Sequence, residues 1–200
     1  MSSKLQDINS ISPAANNLQE KESSDPVQAE FEEGKRFLEN NETGPAAVAL
    51  HNALLGFEEK NDQSGIANAC NQLGLVCLAR NENEKALLHF KRVYDICDLS
   101  NDRMSLLAVS KQCVIAYRGL RDYTKAIEKC LDMLDWYQDN RDPQGAVTTL
   151  ELLAEIYTDA GDGSRAADAY RTAASIHKNF HHDTIAEKLV EKAANLEINS

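Results

Sequence analysis

Chain breakers are scarce. Nine glycines and four prolines stand in 200 residues, too few for a turn-rich β protein, while Ala, Leu, Glu and Lys are plentiful, which favours helix over sheet. Aromatics make up 6% of the chain and there is one Trp. No apolar run approaches the ~18 residues needed to span a bilayer. The opening stretch, MSSKLQDINSISPAANNLQEKESSDP, has no apolar core region and no cleavage-site pattern, so it does not read as a signal peptide. Positive charge is also short. Lys and Arg total 21 against 32 Asp and Glu, giving a formal net charge of −11 and a pI near 4.9. Such a surface repels phosphate backbones and argues against a general nucleic-acid binder. No basic cluster suggests an anionic membrane patch. The expectation is a soluble, cytoplasmic chain with neither nucleic acid nor membrane as partner.

Catalytic signatures are missing as well. There is no Gly-rich phosphate loop, no G-x-S-x-G and no H-E-x-x-H. The chain therefore reads as non-catalytic, with no cofactor. The five cysteines, Cys70, Cys77, Cys97, Cys113 and Cys130, are odd in number and nowhere spaced as CxxC. They read as packed, reduced thiols rather than a disulfide framework. His177 and His181 stand four apart beside His182 and Asp183, a spacing that could ligate a metal on an unbroken helix. They fall where a helix should end and no further ligand pattern follows, so no metal is expected.

What the chain has is a repeat. Ala46, Ala86, Ala126 and Ala166 are spaced by 40 residues. Four after each stand Leu50, Phe90, Cys130 and Tyr170, and seven after each Ala53, Val93, Met133 and Ala173. Nine before each stand Phe37, Cys77, Tyr117 and Tyr157, and twelve before each Gly34, Gly74, Val114 and Ala154. Acids share the period. Glu42, Glu82, Asp122 and Asp162 form one series, and Asp62, Asp102 and Asp142 a second. Each precedes an apolar-periodic run, where a carboxylate caps free N–H groups and favours the positive end of the helix dipole. Asp142 is followed by Pro143, the residue suited to a first helical position.

The periodicity predicts helix pairs over 26–40 and 44–60, 63–80 and 83–99, 103–119 and 122–139, and 143–160 and 163–179. A ninth helix over 183–197 closes the array. Residues 1–24 are polar and aperiodic and read as a disordered tail. Residues 25–197 then form one helical repeat domain, with units near 26–61, 62–101, 102–141 and 142–181 and a capping helix at 183–197. Small residues such as Gly34, Gly74 and the alanines would let paired helices approach closely, with Phe90, Tyr117, Tyr157 and Tyr170 filling the space beside them.

The second unit runs Leu73-Gly74-Leu75-Val76-Cys77, then Ala86, Phe90 and Val93. It resembles the L-G-x-x-Y … A-x-x-x-F pattern of the tetratricopeptide repeat family, with Cys77 at the usual Tyr place. The fourth unit gives Leu153-Ala154-Glu155-Ile156-Tyr157, then Ala166, Tyr170 and Ala173. The third departs further, with Cys113, Val114, Tyr117, Ala126 and Cys130. The first has Glu33 where Leu is usual. The resemblance covers about residues 26–180 and its unit is longer than the common 34 residues. It implies an all-α, right-handed superhelical array of antiparallel helix pairs, four pairs and a capping helix. It also implies a concave groove lined by the first helix of each pair, which accepts a partner segment.

By position, the groove candidates are Asn68, Asn71, Gln72 and Leu75 in the second unit. In the third they are Lys111, Gln112, Ile115 and Arg118, and in the fourth Thr148, Glu151, Leu152 and Glu155. Phe31 and Lys35 are their counterparts in the first. The amides can pair with a peptide backbone as donor and acceptor. Some family members clamp a C-terminal carboxylate with Lys, Asn and Arg, but Leu75 and Ala108 break that set here. The implied function is a non-catalytic adaptor for a partner protein or peptide. A self-associating scaffold, and so a homo-oligomer, is the alternative, and a metal- or redox-dependent regulator is a third reading. Trp136 and Tyr137 end a helix and read as packing against the next unit.

Overall fold

The computed structural model describes residues 25–198; the segment read above as a disordered tail lies outside them. The described residues form nine helices and no strand. They are α1 (Pro26–Glu39), α2 (Thr43–Glu59), α3 (Gln63–Ala79), α4 (Asn83–Leu99), α5 (Arg103–Gly119), α6 (Tyr123–Asp139), α7 (Pro143–Asp159), α8 (Gly163–Asn179) and α9 (Asp183–Ile198). Several helices end one residue before the sequence pattern suggests, because the next residue is the cap. α2 to α8 are all 17 residues long, about 25 Å at the helical rise.

The period of the backbone is shorter than that of the alanines. Helix starts recur every 20 residues from Thr43 to Asp183, because every turn is built alike. At the first turn, the N–H of Asn41 donates to the Leu38 carbonyl and that of Glu42 to the Phe37 carbonyl. This is the Schellman pattern, which satisfies the last carbonyls of a helix and puts the residue after the cap in the left-handed region. The same pair of bonds closes every later turn, down to His181 to Lys178 and His182 to His177. Asn41, Asn61, Asn81, Asn101, Arg121, Arg141, Gly161 and His181 all have positive φ. Asn and Gly adopt that conformation readily, and Arg does not.

The residue that ends each motif also begins the next helix. The carboxylates of Asp62, Asp102, Asp122, Asp142 and Asp162 each accept from the backbone N–H three residues on, at 2.9–3.3 Å. Glu42 and Glu82, one methylene longer, make no such cap. Asp25 caps α1 and also meets Lys60 at 2.6 Å, and that lysine holds its carboxyl below the ordinary value. One residue thus joins two helices with no spare linker.

Consecutive helices pack in order along the chain, and α1 also touches α3, and α3 touches α5. Size complementarity sets the approach within a pair. Gly34 faces Leu50, and a Cβ there would lie 2.6 Å from its Cγ. Gly74 lies against the fully buried ring of Phe90, which leaves no room for a Cβ. The equivalent positions carry Val114 with Cys130 and Ala154 with Tyr170, a larger residue on the first helix with a smaller one on the second, or an alanine with a ring. The same trade recurs between pairs. Gly65 lies under Phe57 and Gly145 under Tyr137. The result is three apolar clusters in succession along the array.

α9 continues the register in the place of a first helix and packs on α8. At one place it departs from its predecessors. Where they carry Val27, Ala67, Leu107 and Val147, all buried or half-buried, α9 carries exposed Glu187. A polar outer face suits an end cap.

Two substitutions read these causes. Replacing Arg121 by Asn removes a left-handed Arg and should raise stability by about 0.5–1 kcal/mol, seen as a higher urea midpoint. Gly74→Ala should lower it by about 1–3 kcal/mol through overpacking on Phe90. Adding Phe90→Leu should return part of that loss.

Candidate partner-binding face

By helical spacing the candidate residues share one side of α3, α5 and α7, and two of them, Lys111 and Glu151, also reach the second helix of their own pair. The register aligns them in rows: Gln28, Asn68, Ala108 and Thr148; Phe31, Asn71, Lys111 and Glu151; Glu32, Gln72, Gln112 and Leu152; Lys35, Leu75, Ile115 and Glu155. Read along the array, the wall passes from amides on α3, through a lysine on α5, to carboxylates on α7.

Exposure differs among them. Asn68, Ile115, Thr148 and Glu155 are exposed, and Asn71, Gln72, Leu75, Lys111, Gln112, Arg118, Glu151 and Leu152 are half-buried. Among the described residues, no side-chain hydrogen bond engages Asn68, Asn71, Gln72 or Gln112. Their amides are thus left with unspent donors and acceptors. Leu75 and Ile115 stand between them as apolar surface. In the first unit Phe31 is buried against Phe57, ring centroids 6.0 Å apart, and Lys35 is held by Glu32 at 2.9 Å.

Other candidates are engaged within the chain. Arg118 reaches across from α5 to α7, with Nη1 2.7 Å from Glu155 and Nε 2.5 Å from Asp159. The two carboxylates raise the guanidinium pKa further, Asp159 most. The three side chains are about one-third to one-half exposed, so each pair contributes under about 1 kcal/mol, and the larger effect is to hold α5 and α7 in one geometry. Lys111 lies over the Tyr137 ring at 5.6 Å. Thr148 donates its hydroxyl to the Gln144 carbonyl within its own helix. Glu151 sits 3.8 Å from Nε2 of His177. Asp159 was not among the candidates; a contact between residues 118 and 159 leaves no trace in local pattern.

The histidines arrange themselves differently from their spacing. His177 is buried and its Nδ1 lies 3.3 Å from Nδ1 of His182, not of His181. His181 is the left-handed residue of the turn, which carries its side chain off the helical face that spacing alone assigns. Among the described residues no group of three His, Cys, Asp or Glu side chains converges for a metal. No described helix is long and apolar enough to cross a membrane.

The fold has clear likenesses. Residues 149–181 match the model of the tetratricopeptide repeat. Comparison with curated proteins gives no match. Among solved structures, the apo form of RapI superposes with a TM-score of 0.69 at 17% identity, over 84% of this chain and 62% of that one. The chain therefore spans less than two thirds of RapI. A kinesin light chain with nearly identical TPR-like repeats from Podosopora anserina gives 0.65 at 13% identity, over 86% of this chain and 95% of that one. Aspartyl phosphate phosphatase F from Bacillus subtilis gives 0.57 at 15% identity, over 86% and 49%. The chain is a tetratricopeptide-like repeat array. In that array the fourth unit, with Ala154, Tyr157, Ala166 and Tyr170 all buried, is the one nearest the family pattern.

The thiols of this array are packed. Cys70, Cys77, Cys97 and Cys130 are buried, Cys113 is half-buried, and all are free. Burial raises every one above the ordinary value of 9.0, Cys113 to about 11 and Cys130 to about 12. The folded state thus favours the neutral thiol. Its contribution to stability is present below pH 9 and is lost as pH rises through the values that burial raises, toward about 11 for Cys113 and about 12 for Cys130. Urea midpoints measured from neutral to strongly alkaline pH should fall across that window. A variant with Cys113 and Cys130 both changed to Ala should show a shallower fall, and an equal fall would remove the thiols as its cause.

Proposed function

We propose that the array is a non-catalytic adaptor that holds a segment of a partner protein along the wall formed by α3, α5 and α7, the inner side of the superhelix. One observation carries this reading. Asn68, Asn71, Gln72 and Gln112 present four amides without hydrogen-bond partners among the described residues, around Leu75 and Ile115. A solvated face has no need of that grouping, whereas a bound backbone uses both the donors and the acceptors, and an apolar side chain of the segment covers the leucine and isoleucine. The charge order adds direction. Amides and Lys111 suit a neutral or acidic part of the segment, while Glu151 suits a basic part.

Arg118 is a supporting residue in this reading rather than a contact. It holds α7 against α5, and a segment that reached it would have to displace two carboxylates. The scaffold reading, in which arrays stack through their ends, gains less, because Glu187 replaces the apolar residue that stacking would cover.

The test is affinity capture with the parent chain and with Asn71→Ala combined with Lys111→Glu. Segments retained by the parent should bind the variant about tenfold more weakly, a loss of about 1.4 kcal/mol. Equal retention by both overturns the placement of the site on this wall.

A further inference from the structure

The second helices α2, α4, α6 and α8 leave a seam between each neighbouring pair, floored by the start of the first helix that lies beneath. The 40-residue register makes the three seams directly comparable. In the first, Ile66 and Ile96 close the seam, and Arg92 spans it to Glu58 at 2.5 Å. In the second, Leu106 holds the place of Ile66 and the indole of Trp136 that of Ile96, half-buried and edge-on to Tyr137 with centroids 5.4 Å apart. In the third, Ala146 stands at the floor position, Ile176 replaces the indole and Thr172 replaces the arginine. Against the second seam the floor and wall residues are both smaller, and against the first the floor residue is smaller and the arginine bridge is gone; what is left is an open cleft of about 480 Å³, lined by Leu134, Tyr137, Ala146, Leu150, Thr172 and Ile176. This volume lies within the ~300–1,000 Å³ typical of ligand clefts.

We propose that this third seam receives one aromatic side chain, a tryptophan in the best case, projected by a basic segment of a partner protein. The walls are mainly aliphatic and aromatic, with Gln138, Arg141 and Asp142 also lining the cleft, so they call for an apolar group with polar neighbours. The second seam shows that this geometry accommodates an indole, since Trp136 stands at the matching place. Arg141 stands at the mouth, and among the described residues it has no carboxylate partner. Cations in this chain repeatedly lie over rings, as Arg165 does over Tyr157 at 5.0 Å and Lys129 over Tyr94 at 5.4 Å. Arg141 is placed to do the same for an incoming ring, with tryptophan the strongest acceptor of that contact. The formal net charge of −11 draws Lys and Arg around the anchor. The chain's own first 24 residues contain no aromatic residue and cannot supply it. The cleft uses Ala146 and Leu150 of α7, nearly opposite on the helix to Thr148, Leu152 and Glu155, so this site is separate from the wall assigned to the partner segment above.

The test uses the intact 200-residue chain with labelled Ile and Leu methyl groups, titrated with Ac-Gly-Lys-Trp-Lys-Gly-amide. The same peptide with Ala in place of Trp is the control. The Trp peptide should shift the methyls of Ile176, Leu150 and Leu134, and the Ala peptide should not. Ile176→Trp, which fills the seam as Trp136 fills its own, should abolish those shifts while the helical circular dichroism is kept. Thr172→Arg, at an exposed position, gives the same reading if the first variant does not fold. Arg141→Gly should weaken binding severalfold. The proposal is overturned if the Trp peptide leaves these methyls unmoved at millimolar concentration, if it shifts Leu75 and Ile115 instead, or if a folded filled-seam variant binds as the parent does. Self-association that shifts the same methyls and disappears with Phe180→Ser would make a second copy the occupant and overturn it as well.

Discussion

Everything in this array hangs on a turn in which one residue serves two helices. The N–H of Glu42, Asp62, Glu82, Asp102, Asp122, Asp142 or Asp162 closes the Schellman motif of the helix before. In the Asp cases the side chain also caps the helix after. Because the same atoms end one helix and begin the next, the linker has fixed length and fixed direction, and the helices must stack in sequence order. A helix of 17 residues cannot bury enough apolar surface alone to be stable, so its stability comes from the neighbours that the turn delivers.

Size complementarity then sets how close each neighbour comes. Glycine under Leu50, Phe57, Phe90 and Tyr137 shows that the array trades volume across the crossing rather than keeping one residue at each place. That trade explains why the alanine series is invariant while its surroundings are not. Ala46, Ala86, Ala126 and Ala166 are fully buried in every unit, whereas the positions flanking them vary in compensating pairs. It also explains how a seam can open. When Ala146 is smaller than both Ile66 and Leu106, and Ile176 smaller than Trp136, nothing nearby compensates.

The acidity has a divided meaning. Part of the negative charge is spent at the turns, where Asp side chains accept backbone N–H groups or pair with a lysine or arginine three residues on. Other carboxylates lie on α7, in Glu151 and in Glu155, which Arg118 already holds, and on the exposed faces of the second helices. The charge order along the wall and the cation at the mouth of the open seam are therefore local properties that the net charge does not convey.

The sequence by itself determined the all-α class, the number of pairs and the helix bounds to within about a residue, because side chains repeat with the helical period and acids recur at helix starts. It also determined that the cysteines would pack, since they fall on apolar faces. It showed a period of 40 where the backbone has one of 20, because first and second helices bury different side chains while sharing one turn geometry that leaves only a weak mark in residue type. Tertiary structure alone decided which candidates are free. Arg118 was legible as a cation on the inner helices, but its capture by Glu155 and Asp159 depends on how α5 meets α7, a contact 37 and 41 residues away in sequence. His177 meets His182 rather than His181 because the left-handed turn, not the helical spacing, sets the direction of the chain there. The open third seam was likewise hidden, since it arises from three side chains on two helices and becomes a space only when those helices are packed together.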